Sequence, residues 1–299
     1  GPGTKKAAVY RGACPRRAFA QRRCASATAR YAPPPSMQTR VHTLRRRRDL
    51  GGGSFALEVD SPIPATQPGQ FYMLRTEKRW PVQLPRPFSL YDRAADGAWG
   101  SFLIKPIGEG TRALCDQQPG EGIVVNGPLG QPFPLDIADP VCIAGGVGLA
   151  PFLLLARQAK AQGRSLRLLF GGRTRELLSG IDDFAGLVRL HASTDDGSFG
   201  FRGMVTALLD DLIARGEVKA GEVVFCCGPD PMMHAVAALC EQRGLRCFLS
   251  LETYMACGYG VCNGCTVKVQ GPRFKGWPYS RTCMEGPVYD ACELVHEHG

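Results

Sequence analysis

Between Met37 and about Asp136 the apolar positions fall in short runs separated by Gly and Pro, as in Phe55-Ala56-Leu57-Glu58-Val59, Gln70-Phe71-Tyr72-Met73-Leu74 and Ser101-Phe102-Leu103-Ile104. Runs of this length, rich in β-forming residues and closed by turn residues, predict strands joined by tight turns. The outcome expected over residues 37–138 is an antiparallel β-barrel. After Pro140 the rhythm changes to strand, glycine turn and helix: Val141-Cys142-Ile143-Ala144, then Gly145-Gly146-Val147-Gly148, then a helical stretch through Lys160. Buried strands at Leu166 to Phe170, Val188 to Ala192 and Val223 to Cys226 follow at α/β spacing, which predicts a doubly wound parallel sheet over residues 139–248. From residue 249 to 299 the chain is too short and too rich in cysteine for an ordinary core, so a bound metal is expected to help hold it. The expected fold is multidomain: a barrel, an α/β domain and a small C-terminal metal domain.

Charge changes the picture only at one end. The formal charge of +9 comes from 36 Lys and Arg against 27 Asp and Glu, but thirteen of the basic residues and none of the acidic ones lie in residues 1–48. That leaves 23 basic against 27 acidic side chains, a body near −4, which argues against nucleic acid as a partner. The basic head is rich in Ala, Arg and Ser, the composition of an organelle transit peptide, and a nucleic-acid or membrane arm is a further reading. Residues 1–36 are read here as an N-terminal extension that is disordered or not native. Arg45 to Arg48 fall inside the first hairpin, where a charge run is expected to be a solvated face. The longest apolar run, Val141 to Ala156, is broken by Gly145, Gly146, Gly148 and Pro151, so no membrane span is expected.

Thirteen cysteines are spread unevenly, and four form one tight pattern near the C-terminus. Uneven use points to metal ligation in a reducing compartment, hence the cytoplasm, rather than to disulfides. Cys142, Cys226 and Cys240 lie in apolar runs and are expected in the core. The pattern itself is Cys257-Gly-Tyr-Gly-Val-Cys262-Asn-Gly-Cys265, followed by Cys283. Its C-x4-C-x2-C spacing with a later cysteine is that of plant-type [2Fe-2S] ligation, although the fourth cysteine comes early. Gly258, Gly260 and Gly264 suit a loop that must adopt positive φ and bring bare N–H groups to sulfur. The alternative is a structural zinc site with four cysteine ligands, which usually spaces its first pair more closely.

Two further signals concern nucleotides. Arg86-Pro87-Phe88-Ser89 offers a guanidinium that can grip a pyrophosphate and a hydroxyl that can bond a ring edge. Leu103, Ile104 and Lys105, then Gly110-Thr111, add a strand end, a charge and a glycine-rich phosphate contact to the same candidate site. Gly145, Gly146 and Gly148 follow a buried strand and precede a helix, the context a nucleotide loop requires, although the full G-x-G-x-x-G is absent. Cys227-Gly228-Pro229 supplies a second turn after a later strand of the same sheet. An ordinary turn accounts for each piece in isolation.

Taken in order, Arg86 to Ser89, Gly110-Thr111, Gly127-Pro-Leu-Gly130, Gly145 to Pro151, Cys227 to Pro229, Cys257 to Cys265, and Cys283 with Gly286-Pro287-Val288 resemble the ferredoxin-reductase superfamily. More narrowly, they resemble the iron–sulfur electron-transfer subunits of class 1B dihydroorotate dehydrogenases. The resemblance runs from about Met37 to Val295, with no counterpart for residues 1–36. It implies an oxidoreductase subunit carrying FAD, a [2Fe-2S] cluster and an NAD(H) site, with NADP(H) left open. Electrons would pass to a catalytic flavoprotein partner in a hetero-oligomer, and no general acid or base is needed. On the family pattern Arg86 and Thr111 bind FAD phosphates, Ser89 meets the isoalloxazine, and the 145–151 turn holds the nicotinamide diphosphate. Arg173 stands where an acidic ribose reader is usual, while Asp195 and Asp196 after the next strand favour NADH. Other acceptors for the same relay are a hydrogenase, a sulfite reductase or a bifurcating transhydrogenase; a zinc-knuckle binding scaffold is the alternative of a different class.

Overall fold

The computed structural model describes residues 37–60 and 62–295, so the basic extension at 1–36 lies outside the described residues. Strands β1 (Gln38–Asp49), β2 (Phe55–Asp60), β3 (Phe71–Thr76), β4 (Arg86–Arg93), β5 (Trp99–Ile104) and β6 (Gly122–Leu129) close into a barrel in the order β1-β2-β5-β4-β3-β6, and every neighbouring pair is antiparallel. Alternation drives the closure. On β1 the side chains of His42 and Leu44 are buried between exposed Val41, Thr43 and Arg45, as the two-residue period of a strand with one wet face requires. Tyr72 and Phe102 meet edge to face at 5.5 Å in the barrel core. A short helix, α1 (Glu109–Cys115), caps one end with Leu114 and Cys115.

Beyond the barrel, β7 (Val141–Gly145), α2 (Ala150–Ala161), β8 (Leu166–Gly172), β9 (Val188–Thr194), β10 (Phe201–Arg202), α3 (Val205–Ala214), β11 (Val223–Cys227), α4 (Asp230–Arg243) and β12 (Arg246–Ser250) build a parallel sheet. Its order is β10-β9-β8-β7-β11-β12, so the chain reverses its winding between β7 and β11. All five residues of β7 are buried, as expected of a strand covered on both faces. Phe152, Leu153 and Ala156 of α2 cover one face and Leu208, Leu209 and Val236 of α3 and α4 the other. Phe133, just past the barrel, stacks on Phe225 at 4.5 Å and on Phe152 at 5.6 Å, joining barrel and sheet in one core.

A charged latch reinforces that junction. Asp183, in the turn Ile181–Phe184, accepts two hydrogen bonds of 2.7 Å from the Arg48 guanidinium and one of 2.7 Å from the Tyr91 hydroxyl. Arg157 of α2 donates to Asp92 of β4 at 2.7 Å, and Gly180 N–H donates to the Leu50 carbonyl at 2.8 Å. The expectation that Arg45 to Arg48 form one solvated face is corrected at Arg48. Its neighbours are exposed, but Arg48 is half-buried, because its partner comes from a segment 135 residues away.

The C-terminal segment forms a two-stranded ribbon, β13 (Thr266–Lys268) with β14 (Tyr279–Arg281), and then sends β15 (Val288–Asp290) back to the large sheet, antiparallel to β12. Tyr289 of β15 is fully buried and its hydroxyl shares a 2.9 Å hydrogen bond with Ser280; Asp290 accepts from Arg246 at 2.7 Å. A bound metal is expected to help hold this segment, and its pairing with the neighbouring sheet gives it further core.

Candidate functional site

Ligands of doubly wound sheets bind at the carboxyl ends of the strands where the winding reverses. Here that point lies between β7 and β11, and both glycine turns are there. Each packs on the other: a Cβ at Gly148 would fall 2.3 Å from the Cys227 carbonyl oxygen, and one at Gly145 would fall 2.6 Å from Met232 Sδ. Gly146 has φ +56°, which a side chain would strain. The turn Gly146–Leu149 leads straight into α2.

Above this edge a cleft of about 230 Å³ opens between the sheet and the barrel. Pro87, Phe88, Ser89, Leu103, Lys105 and Thr111 line it from the barrel side, and Cys227 from the sheet. Ser89 sits opposite Phe71 in the β3–β4 register. Thr111 is held by its first turn, its Oγ1 donating to the Gly108 carbonyl and accepting from Gly108 N–H, both at 2.9 Å. Arg86, Ile104, Gly110 and Pro229, together with Gly145, Gly146, Gly148 and Gly228 of the two packed turns, are expected at the site but do not line the cleft. Arg86 turns its guanidinium to the Leu84 carbonyl at 2.7 Å; Ile104 is fully buried in the barrel core; Gly110 lies beneath Trp80; and Pro229 begins the turn into α4. Gly228 belongs to the packed turns, its would-be Cβ 3.1 Å from Gly145 N.

Sequence reasoning missed the far wall: Ser250, Glu252, Thr253, Met255 and Pro287. Ser250 ends the buried strand β12 and Leu251 to Thr253 follow it, but that this strand's end faces the cleft is set by the order of strands in the sheet. Glu252 is exposed as a residue, yet the protein packed around its carboxyl, with Asp230 nearby, raises it above the ordinary value. Burial likewise raises the Cys227 thiol, with Glu252 adding to the effect and a Ser250 hydrogen bond opposing it. Thr253 Oγ1 lines this region buried and without a partner among the described residues, an open hydrogen-bonding valence that suits a polar ligand.

The four cysteines of the C-terminal motif fall into two pairs. The Cys265 and Cys283 thiols hydrogen-bond to each other, as do those of Cys257 and Cys262. The Cys283 hydrogen bond, acting against burial and joined by backbone donors, brings the Cys265 thiol down to about 6. At Cys257 burial opposes ionisation, but the N–H groups of Cys262, Tyr259 and Val261 outweigh it and bring the thiol to about 7. Gly264 N–H donates to Cys262 Sγ at 3.4 Å. Gly258 and Gly260 have φ of +81° and +86°, as expected, but Gly264 does not; Asn263 takes the left-handed position at +57°. Gly264 serves through its N–H alone. Cys265 and Cys283 are buried, Cys257 is half-buried and Cys262 is exposed. Arg281 fastens the loop by donating to the Gly260 carbonyl at 3.0 Å and pairing with Glu285 at 2.8 Å.

The lowered Cys257 and Cys265 thiols, with N–H groups aimed at sulfur, fit an iron–sulfur cluster, while Cys283 is raised, chiefly by its hydrogen bond with Cys265 and then by burial. Among the described residues no group of three or more His, Cys, Asp or Glu side chains is placed to hold a single metal ion. Residues 252–295 match the family model for the iron-sulfur cluster binding domain of dihydroorotate dehydrogenase B, and residues 142–238 that of the oxidoreductase NAD-binding domain. The chain is 36% identical over 260 residues to the dihydroorotate dehydrogenase B (NAD(+)) electron transfer subunit of Caldanaerobacter subterraneus subsp. tengcongensis, covering 87% of this chain and 98% of that one. The chain belongs to this family of electron transfer subunits. Its counterpart from Clostridium acetobutylicum is 37% identical over 77% of this chain and 86% of its own length. Among solved structures, the NADH-dependent reduced ferredoxin-NADP oxidoreductase superposes with a TM-score of 0.75 at 26% identity, over 86% of this chain and 91% of that one. Phthalate dioxygenase reductase, at 17% identity and a TM-score of 0.59 over 78% and 87%, shares the fold. Membership accounts for the order of parts, barrel then NAD-binding sheet then cluster segment, and for a reductase rather than a zinc scaffold. Among the described residues no helix is long and apolar enough to cross a membrane.

Proposed function

We infer that this chain takes electrons from NADH and delivers them singly to the catalytic flavoprotein subunit of a dihydroorotate dehydrogenase B, in a hetero-oligomer in the cytoplasm. One observation carries the reading: a single cleft is bounded by the barrel turn, the switch edge of the sheet and the segment that leads into the cysteine loop. When bound, FAD and a [2Fe-2S] cluster supply the conversion of a two-electron donor into one-electron steps; the protein binds, orients and shields them. In this division residues 37–138 hold FAD, 139–248 the nicotinamide and 249–299 the cluster. Thr111 binds phosphate oxygens, and Arg86 does so once its guanidinium leaves the Leu84 carbonyl; Ser89 and Lys105 face the ring system, and the 145–151 and 227–229 turns receive the dinucleotide. Cys257, Cys262, Cys265 and Cys283 ligate the cluster.

NADH is favoured over NADPH by the loop after β9. The Asp196 carboxylate accepts from Ser198 N–H at 2.9 Å and from its hydroxyl at 2.6 Å, hydrogen bonds that hold it below the usual carboxylate range and ionised. Backbone bonds from Asp195 N–H to the Gly172 carbonyl and from Asp196 N–H to that of Arg173 tie this loop to the end of β8. Fixed negative charge there repels a 2′-phosphate more than the exposed Arg173 attracts it. The test is an anaerobic titration of the purified protein: NADH should bleach a flavin absorbance and then the sulfide-to-iron bands, with NADPH far less effective. A colourless protein, or one with flavin and no cluster bands, would refute the relay. The partner is checked by co-purification from the native source.

A further inference from the structure

Two side chains belong both to the lining of the cleft and to the apolar cluster enclosing Cys265 and Cys283: Phe71 and Met255. Phe71 is a barrel residue, fixed by the β3–β4 pairing. Met255 stands on the irregular segment between β12 and the cysteine loop, two residues before Cys257. Nothing local forces it inward. Its neighbour Tyr254 is 96% exposed, while Met255 is 8% exposed and packs with Met73 and Leu129. An unbranched, polarizable thioether is the side chain best suited to fill an irregular gap between two preformed bodies.

We propose that Met255 is the bridging residue across which electrons leave the cleft for the cluster. The inference rests on the FAD and [2Fe-2S] reading above and adds the path between them. Electron tunnelling decays more steeply through empty space than through packed atoms, so a side chain filling the wall sets the rate. Both sides of the wall are held, which prevents collapse around a smaller residue. A Cβ at Gly258 would fall 2.5 Å from Met73 Cγ, so the cysteine loop is already pressed against β3. Gln131 Nε2 donates to the Met284 carbonyl at 3.1 Å and Gln131 N–H to that of Gly286 at 2.6 Å, fastening the Cys283 end to the barrel. Removing the thioether therefore leaves a void whose lining has lost its contacts. Each passage oxidises the flavin by one electron and reduces the cluster by one. Two such passages would match the electron pair of one NADH, the cluster handing the first electron to the catalytic flavoprotein subunit before it takes the second, with the flavin's proton released to solvent.

The experiment compares the full chain with Met255→Leu, Met255→Val and Met255→Ala by anaerobic stopped flow. It follows the lag between flavin bleaching and cluster bleaching after NADH, with freeze-quench EPR of the reduced cluster as a second readout. The expected result is a several-fold longer lag in Ala, an intermediate lag in Val and recovery in Leu, at equal flavin and iron content. A lag unchanged in Ala and Val overturns the bridging role. So does loss of the cluster in both, which would make Met255 a brace for the ligand loop. Absence of cluster bleaching in the unmodified protein would instead count against the relay itself.

Discussion

Replacing Asp183 by Ala removes three hydrogen bonds that join the barrel to the sheet. Its side chain is 16% exposed, whereas that of Arg48 is 38% exposed, so water can take over much of the freed guanidinium and the cost falls well short of a fully buried pair. Tyr91 has no such relief: it is fully buried, and its remaining acceptor is the Gly180 carbonyl at 3.4 Å. Stranding a buried hydroxyl costs about 1–3 kcal/mol, and the discounted ion pair adds about 1 kcal/mol, so Asp183→Ala should cost about 2–4 kcal/mol. Asp183→Asn keeps an acceptor for Tyr91 and should cost about 1–2 kcal/mol, chiefly the charge-assisted part of the Arg48 pair. Urea denaturation followed by circular dichroism at fixed protein concentration measures both. The pH dependence gives a second handle. The Asp183 carboxyl is buried, which alone would raise it, but the Arg48 and Tyr91 hydrogen bonds outweigh burial and hold it below the ordinary value. A folded value lower than the unfolded one means that the stabilisation is complete above the unfolded carboxylate range. It is lost as pH falls through the folded value. The gap between wild type and Asp183→Asn should therefore close toward the acid end. Equal denaturation midpoints for wild type and Asp183→Ala, or a gap that widens on acidification, would refute the latch.

Cys262→Ser should abolish the cluster while flavin remains bound and reducible by NADH; persistence of the low-temperature EPR signal of a reduced cluster would show that Cys262 is not a ligand. Arg86→Ala should weaken FAD retention by about 1.5–3 kcal/mol, the worth of a charge-assisted hydrogen bond, and apoprotein titration with unchanged affinity would place the phosphate contact elsewhere. Tyr259, 44% exposed on the cysteine loop near Val261 at 73%, is a candidate contact for the catalytic subunit. Tyr259→Glu should leave NADH-to-ferricyanide activity nearly intact and sharply reduce transfer to the partner, whereas equal loss of both would indicate damage to the cofactor sites. Asn at both Asp195 and Asp196 should narrow the preference for NADH over NADPH, measured as the ratio of the two kcat/KM values, and an unchanged ratio would assign selectivity to another loop.

The features legible in the sequence were those whose cause is local. Strand alternation and glycine punctuation are written in consecutive residues, so the barrel, the parallel sheet and the order of the parts could be read from them. The C-x4-C-x2-C loop could be read for the same reason, because one turn of chain must wrap its own ligands. Tertiary structure decided whatever depends on partners far along the chain. Arg48 looked like one more solvated arginine until Asp183 met it. Met255 lies close in sequence to exposed Tyr254 and Tyr259, yet it is buried, because β3 closes over it. That β15 of the C-terminal segment borrows the edge of the large sheet likewise depends on a distant partner strand. Ser250 and Glu252 were passed over because a residue's place at a sheet's switch edge follows from strand order, and pairing between distant strands leaves no periodic trace in either one.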